Sequence, residues 1–597
     1  MESQIVLAAA IAAILVFGCV GDAQGKGENI FPNPGFDQFE DDLPIGWTVG
    51  IWNKPLSRVE TNRLAPGRDG SGHCLEVTPS TPMASVTLTT GAVPVSAGQD
   101  YLFKGYYASD CQGTTTDKRW MDAEGVSLTG NWLDAEEEKV DSFTIVLPDT
   151  QDRWVECFQE IHAPENAAAL QIVINRRWVG GHLRFDDFSL REGKIRDYEE
   201  EFSARQVPDE DFFPIFGWLT PGTPPPHFRG DNGPDTMLDY YHAEFALANF
   251  TINLELDEYN GFGMKYRPLG HQEDEELVAL DNDPNVWWFG GADEPGEKEF
   301  PHLAELNERI QKLAPSKDFW TNLFPSYADD FRGKLENYDH YVSEYIAVVK
   351  PKILTYDHYC MVGNDPRVHA DSWYSPNLEG DYFPNLEIVR KRTLEADVEF
   401  GVIVSLGTFG PVRGVSEAEM RFQAFTCLAY GARSLGWFCY LTEIQYGNWR
   451  NWEDMVINRD GTRTRHYAMV KYLNGEVLAL APTLLRLKST GVYHTDPLPP
   501  IAYPLKQSEL VESISGGMAL VGEFKSETDG RHYIMVVNRD FIDPASLKLK
   551  FRRPPLNLLE VSKQSGTKQP VTGYSTETGE VQLDLPGGDG RLFYLDE

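Results

Sequence analysis

Val286-Trp-Trp-Phe-Gly-Gly-Ala-Asp-Glu-Pro295 is an apolar run that ends in two adjacent carboxylates and a proline. Bounded by Asn282-Asp-Pro284 before and Gly296 after, it fits a strand buried on both faces, as in a parallel sheet. Asp293 and Glu294 then stand at its carboxyl end. In α/β barrels that end is the catalytic face, so a carboxylate there is a candidate for chemistry rather than for solvation.

At 597 residues the chain is too long for one core, and length predicts three or four domains. The 41% hydrophobic and 12% aromatic content is ample for packed cores, and the 14 Trp and 26 Tyr suit stacking against flat ligands such as sugar rings. A formal charge of -38 opposes approach to nucleic acid or to an anionic membrane. Ile5 to Val20 has the length of a signal-peptide core and is too short for a comfortable membrane span. Small residues in Gly21-Asp-Ala23 offer a cleavage point, although Met1-Glu-Ser-Gln4 lacks Lys and Arg. The expectation is a signal peptide over residues 1–23 and a secreted, extracellular protein without a membrane span. Phe17-Gly-Cys19 also resembles a lipoprotein box loosely, which would anchor the chain by lipid at Cys19. Cys74, Cys111, Cys157, Cys360, Cys427 and Cys439 form no CxxC or Cys/His pair at zinc spacing, so no metal site of that kind is expected. One disulfide in each half and free buried thiols both fit.

Residues 28–193 carry short alternating runs such as Ser85–Thr89, Tyr101–Tyr106 and Leu170–Ile174, separated by Gly, Asp and Pro turns, which is an all-β pattern. From Phe212 the period changes, and strand-like and helix-like segments alternate to about Leu480. The strands expected are Phe212–Trp218, Phe245–Leu254, Gly261–Tyr266, Val286–Gly290, Phe319–Leu323, Ile353–Tyr356, Phe400–Ser405 and Leu435–Tyr440. Amphipathic stretches at Phe300–Leu313, Tyr338–Val349, Tyr382–Ala396 and Glu417–Tyr430 lie between them. Eight strands in this alternation predict a (β/α)8 TIM barrel over 205–480; a doubly wound sheet would be expected to carry a glycine-rich phosphate turn, and none is found. Residues 485–597 return to β and predict a small C-terminal β-sandwich. The fold class expected is therefore multidomain: jelly-roll β-sandwich, (β/α)8 barrel, C-terminal β-sandwich.

Two resemblances sharpen this. Asn33-Pro-Gly-Phe-Asp37, Pro44-Ile-Gly-Trp47 and Leu183-Arg-Phe-Asp-Asp-Phe-Ser-Leu190 resemble the signatures of jelly-roll carbohydrate-binding modules. That likeness implies a sugar-stacking platform among Trp120, Trp132 and Trp178, and a structural Ca²⁺ near Asp186. Asp293-Glu294-Pro295 resembles the Asn-Glu-Pro signature on the fourth strand of clan A glycoside hydrolases, including those built like the family 42 galactosidases. Asn322-Leu-Phe-Pro325, Tyr356-Asp-His-Tyr359 and Ala429-Tyr-Gly431 extend the likeness across most of the barrel.

The resemblance implies a hydrolase of O-glycosidic bonds with a carbohydrate substrate, no catalytic cofactor and Glu294 as general acid. It also places a nucleophile at the end of strand seven, but Phe400-Gly-Val-Ile-Val-Ser-Leu-Gly-Thr408 contains no acid. Three candidates stand for the missing group. Glu443 lies just past strand eight, Asp357 ends strand six beside His358, and Asp293 can orient a substrate's own 2-acetamido carbonyl, as in substrate-assisted hexosaminidases. A sugar-ligand role suits Asp357 better than attack. A barrel that has lost catalysis and only binds carbohydrate is the alternative from another class. Trp218, Asn322, His358, Trp437 and Tyr440 are candidate substrate-binding residues at strand ends, with Asn253 and Glu255 beside them. Lys265, Arg267 and His271 follow strand three; a sulfated or uronic polysaccharide would need such a cluster, and solvated surface charge is the plainer account.

Overall fold

The computed structural model describes residues 27–40, 43–52, 59–61, 65–79, 85–113, 125–177, 179–220, 234–256, 261–328, 335–362, 381–442, 452–459 and 461–596. The expected signal peptide over 1–23, Cys19, Trp120, Trp178 and Glu443 lie outside them. Two compact units divide the chain, the first ending at Asp197 and the second running from Tyr198 to Glu597. The boundary falls within the acidic stretch Arg196–Phe202. No helix among the described residues is long and apolar enough to cross a membrane.

The first unit is a sandwich of two antiparallel sheets. One orders its strands as 139–146, 125–133, 169–177, 85–90 and 47–52; the other as 155–162, 100–109, 183–192, 75–79 and 59–61. Strict alternation of buried and half-buried residues along Ser85–Thr90 and Ala169–Arg177 turns every second side chain into the core. Phe31, Phe36, Trp47, Phe103 and Phe185 all pack against Phe188. Gly105 lets that ring approach, since a Cβ there would lie 2.4 Å from it. Trp132, expected on a sugar platform, is buried at 3% exposure against Phe143, so it belongs to the core. The carboxylate oxygens of Asp186 accept the backbone N–H groups of Arg68 and Asp187, each at 2.8 Å, and Arg68 pairs with Asp187. This is a loop clamp that supplies its own cation. Among the described residues no three His, Cys, Asp or Glu side chains are grouped to hold a metal.

The second unit contains eight parallel strands: β1 (Ile215–Gly217), β2 (Ile252–Asn253), β3 (Lys265–Tyr266), β4 (Trp288–Asp293), β5 (Asp318–Leu323), β6 (Ile353–His358), β7 (Glu399–Ser405) and β8 (Ser434–Phe438). Six of them form one sheet in the order β1-β8-β7-β6-β5-β4, while β2 and β3 pair only with each other. The expected continuous closed ladder is therefore not drawn. Isolated bridges from Tyr266 to Val286 and from Leu269 to Gly290 connect β3 to β4, and the Thr251 N–H donates to the Ile215 carbonyl at 2.9 Å between β2 and β1. Strand two shrinks because Phe245-Ala-Leu247 closes the helix α1 (Pro234–Leu247) rather than opening a strand, and Asn249 then takes a left-handed φ of 61°.

Helices α2 (Asp274–Asp281), α3 (Phe300–Leu313), α4 (Tyr338–Val349), α5 (Phe383–Ala396), α6 (Glu417–Ala429) and α7 (Arg465–Leu484) follow strands β3 to β8 in turn, whereas among the described residues no helix lies between β2 and β3. Phe216, Ile252, Trp288, Trp320, Ile353, Ile403 and Phe438 fill the space inside the strands. The C-terminal sheets, seven and three strands, enclose Val521, Ile534, Val536, Leu549, Leu583 and Phe593. They belong to the same unit as the strand–helix region: Arg433 donates to the carbonyls of Leu484 and Leu487, and Phe422 of α6 meets Phe541 at 5.2 Å. All six cysteines of the described residues are buried and free.

Candidate active site

Strand β4 reaches its acids through an irregularity. Gly290 pairs with Trp320 of β5, but the next partner of Asn322 is Asp293, so three steps on β4 match two on β5. The extra residue is a bulge, and it brings Asp293 onto the inward face that simple alternation would deny it. The two glycines make this feasible. A Cβ on Gly290 would lie 1.7 Å from Arg267 Nη1, and one on Gly291 would lie 2.3 Å from the Phe319 ring.

Glu294 follows with φ 49°, a left-handed conformation rare for a residue with a side chain, and its N–H donates to the Asn322 carbonyl at 2.8 Å. The Pro295 carbonyl accepts from Tyr341 of α4 at 2.8 Å, which fixes the turn from the helix layer.

Three carboxyl groups meet there. Asn322 Nδ2 donates to Asp293 Oδ1 and to Asp357 Oδ1, both at 3.0 Å, while its Oδ1 accepts from Thr355 at 3.1 Å. The Asp357 carboxyl in turn hydrogen-bonds that of Glu294. Burial is the largest influence on all three groups and favours their neutral forms. Glu294 is pushed up to about 7 by burial and by the charge of Asp293, against the opposing hydrogen bond from Asp357. Asp357, fully enclosed and facing both neighbours, is raised well above the ordinary range. Asp293 is raised less strongly, because Asn322 and the Arg267 guanidinium favour its charge. Arg267 lies over Trp320 at 5.0 Å and donates to the Leu254 carbonyl at 2.8 Å.

The hydrogen bond between Glu294 and Asp357 bears on the nucleophile role weighed for Asp357. Two carboxyls that flank a glycosidic bond stand about 5 Å apart or more, so a pair in hydrogen-bond contact cannot hold that bond between them. Strand seven likewise ends without an acid: Gln423 of α6 accepts from the Ser405 N–H and hydroxyl and donates to its carbonyl at 3.0 Å. The polar groups of Ser405 are thus occupied by a neutral amide from the helix layer.

The remaining candidates divide. Trp218 is half-buried and tilts over Trp320 at 6.1 Å, with Trp288 stacked beneath at 5.9 Å, so it caps an aromatic column. Asn253 is buried and accepts from Thr220 and from the Glu255 N–H. Trp437 and Tyr440 are fully buried and turned from the acids: the indole donates to Asn474 of α7, and the phenol donates to the Tyr241 carbonyl. His358 is fully buried between the rings of Tyr327 and Tyr382, outside the carboxyl cluster, and burial lowers it to about 3. Lys265 is bound to Asp209 and the Pro284 carbonyl, and His271 is exposed, so the basic residues after strand three form no cluster with Arg267. Sequence reasoning missed the shared Asn322 bridge, the Gly-Gly bulge and Gln423. Only the glycine pair left a visible trace in the sequence.

No protein-family model matches the chain, and no curated protein resembles it. Solved structures with partial likeness include a family 39 glycoside hydrolase from Bacteroides cellulosilyticus, 12% identical over 79% of this chain and 95% of that one, TM-score 0.37. An arabinose-bound family 51 α-L-arabinofuranosidase is 10% identical over 96% and 95%, TM-score 0.29. An endo-1,4-β-D-xylanase of Clostridium thermocellum, with a carbohydrate-binding and a catalytic module, is 11% identical over 74% and 96%, TM-score 0.28.

Proposed function

We propose that this protein is a secreted glycoside hydrolase of the clan A, family 42-like type, whose second unit works as a (β/α)8 barrel on a carbohydrate substrate. The observation that carries the reading is the Glu294 carboxyl, half-buried just past a parallel-strand carboxyl end and poised near 7 by partial burial and by Asp293. A group of that proton affinity keeps its proton on about half of the molecules near neutrality and can give it to a departing glycosidic oxygen. Trp218 supplies an apolar ring surface at the same mouth, and the hydroxyl and amide face of Thr87, Thr89, Thr129 and Asn175 on the first unit suits sugar hydroxyls.

Attack at the anomeric carbon has two readings. In the first, Glu443 past β8 is the nucleophile of a retaining enzyme. In the second, a 2-acetamido group of the substrate attacks while Asp293 orients it. The acid-free end of β7 and the bulge that sets Asp293 against Asn322 favour this one. The test is a glycan panel scored for released reducing ends. Glu294→Gln is expected to lower turnover at least about 100-fold, the usual contribution of a general acid. Unchanged turnover in that variant overturns the assignment. Azide rescue of Glu443→Ala marks the first reading, and inhibition by a thiazoline analogue marks the second. Glycan binding without turnover of any substrate would instead make the barrel a binding protein.

A further inference from the structure

The Asp357 carboxyl touches Glu294 and is itself held by Asn322. A group in that position is poorly placed to bind a sugar hydroxyl, because it is 4% exposed and its oxygens face two protein partners. We propose that Asp357 is a positioning residue: it remains a neutral carboxylic acid whose O–H donates to Glu294 and holds that carboxyl in place as it gives up its proton. This rests on the reading of Glu294 as the acid.

The surroundings favour that location of the proton. Asp357 Oδ1 accepts from Asn322 of β5, leaving Oδ2 to carry the hydrogen toward Glu294. Charged and titratable groups facing the pair are Asp293 of β4, the Arg267 guanidinium beside Asp293, and the Tyr341 hydroxyl of α4, which stays protonated. The cation lies on the Asp293 side, so of the three carboxyls Asp293 carries the negative charge most readily. His358, next in sequence, faces away between two tyrosine rings and is neutral.

During leaving-group departure the Glu294 O–H bond breaks and a new O–H bond forms on the glycosidic oxygen. The electron pair of the C–O bond goes to that oxygen, the anomeric carbon takes an electron pair from the attacking carboxylate or 2-acetamido oxygen, and Glu294 is left as a carboxylate. Asp357 transfers no proton, but its hydrogen bond changes from neutral to charge-assisted and strengthens as the negative charge appears. An interaction stronger in the transition state than before it lowers the barrier.

The experiment uses the full chain and does not depend on knowing the substrate. Carboxyl infrared spectra of wild type minus Glu294→Gln, recorded from pH 5 to 9, isolate the titration of Glu294. The same subtraction is made in an Asp357→Asn background, where the side-chain amide keeps a donor, and in an Asp357→Leu background, where none remains. The expected wild-type midpoint is about 7, nearly unmoved by Asn and raised by about one pH unit by Leu, because the carboxylate loses its donor. A midpoint lowered by Asn shows that Asp357 was the charged partner and overturns the proposal. So does a midpoint unmoved by Leu in a protein that still melts cooperatively. Should Leu fail to fold, the Asn result decides alone. Absence of any Glu294 titration in wild type overturns the acid reading and this proposal together.

Discussion

Glu294 stands against its own fold in two ways. It holds a left-handed backbone, and its carboxyl is raised from 4.5 to about 7. A carboxyl whose folded value exceeds its unfolded value contributes stability below the unfolded value, and that contribution is lost as pH rises through the folded one. For Glu294 the window runs from 4.5 to about 7, and its full span corresponds to roughly 3 kcal/mol. Glu294→Gln keeps the backbone conformation but cannot ionise. Its stability relative to wild type should therefore grow between pH 5 and pH 8, read as the difference in denaturant midpoints. An identical difference at both pH values would contradict the burial of this group.

At the scale of elements, the deciding device is the bulge in β4. Deleting Ala292 restores even pairing with β5 and turns Asp293 outward toward the face where Phe319 lies against Gly291. The expected outcome is a folded protein, by circular dichroism and thermal melting, with turnover reduced at least about 100-fold through misplaced acids. Retained turnover would show that Asp293 does not act from the inner face. The apolar run and the acids behind it were legible in the sequence because burial on both faces leaves a continuous signal. The bulge was not, since an extra residue looks the same in sequence whichever strand face it serves. Strand two was misread because Phe245 to Leu247 is equally apolar as the buried side of α1. Asn322 and Asp357 were identified by type and by their strand ends. Their shared hydrogen bond was not, because it joins residues 35 positions apart through neighbouring strands.

At the scale of the molecule, the described residues are held by apolar packing and not by covalent cross-links. Each of the six described cysteines is buried and free, and burial pushes the Cys74 and Cys427 thiols up to about 12. Thiols so reluctant to ionise react slowly. Melting in the presence of a reductant should match melting in its absence, and alkylation of the native protein should be slow. A melting temperature lowered by reductant would reveal a disulfide that this fold does not contain. Length and period led to an expectation of three or four domains, whereas the chain divides into two compact units, and the joining of the last two regions into one depends on contacts such as Phe422 with Phe541.

The left-handed turn at Glu294 also has a bearing on how this chain can change over generations. Glycine and asparagine occupy that backbone region more easily than glutamate does. Under selection for thermal robustness alone, position 294 is where variants should escape first, toward residues that suit the turn and carry no proton. Under selection for turnover it should stay fixed while its neighbours drift. On the proposed reading of Glu294 as an acid, use keeps the proton at this turn, because folding by itself would discard it.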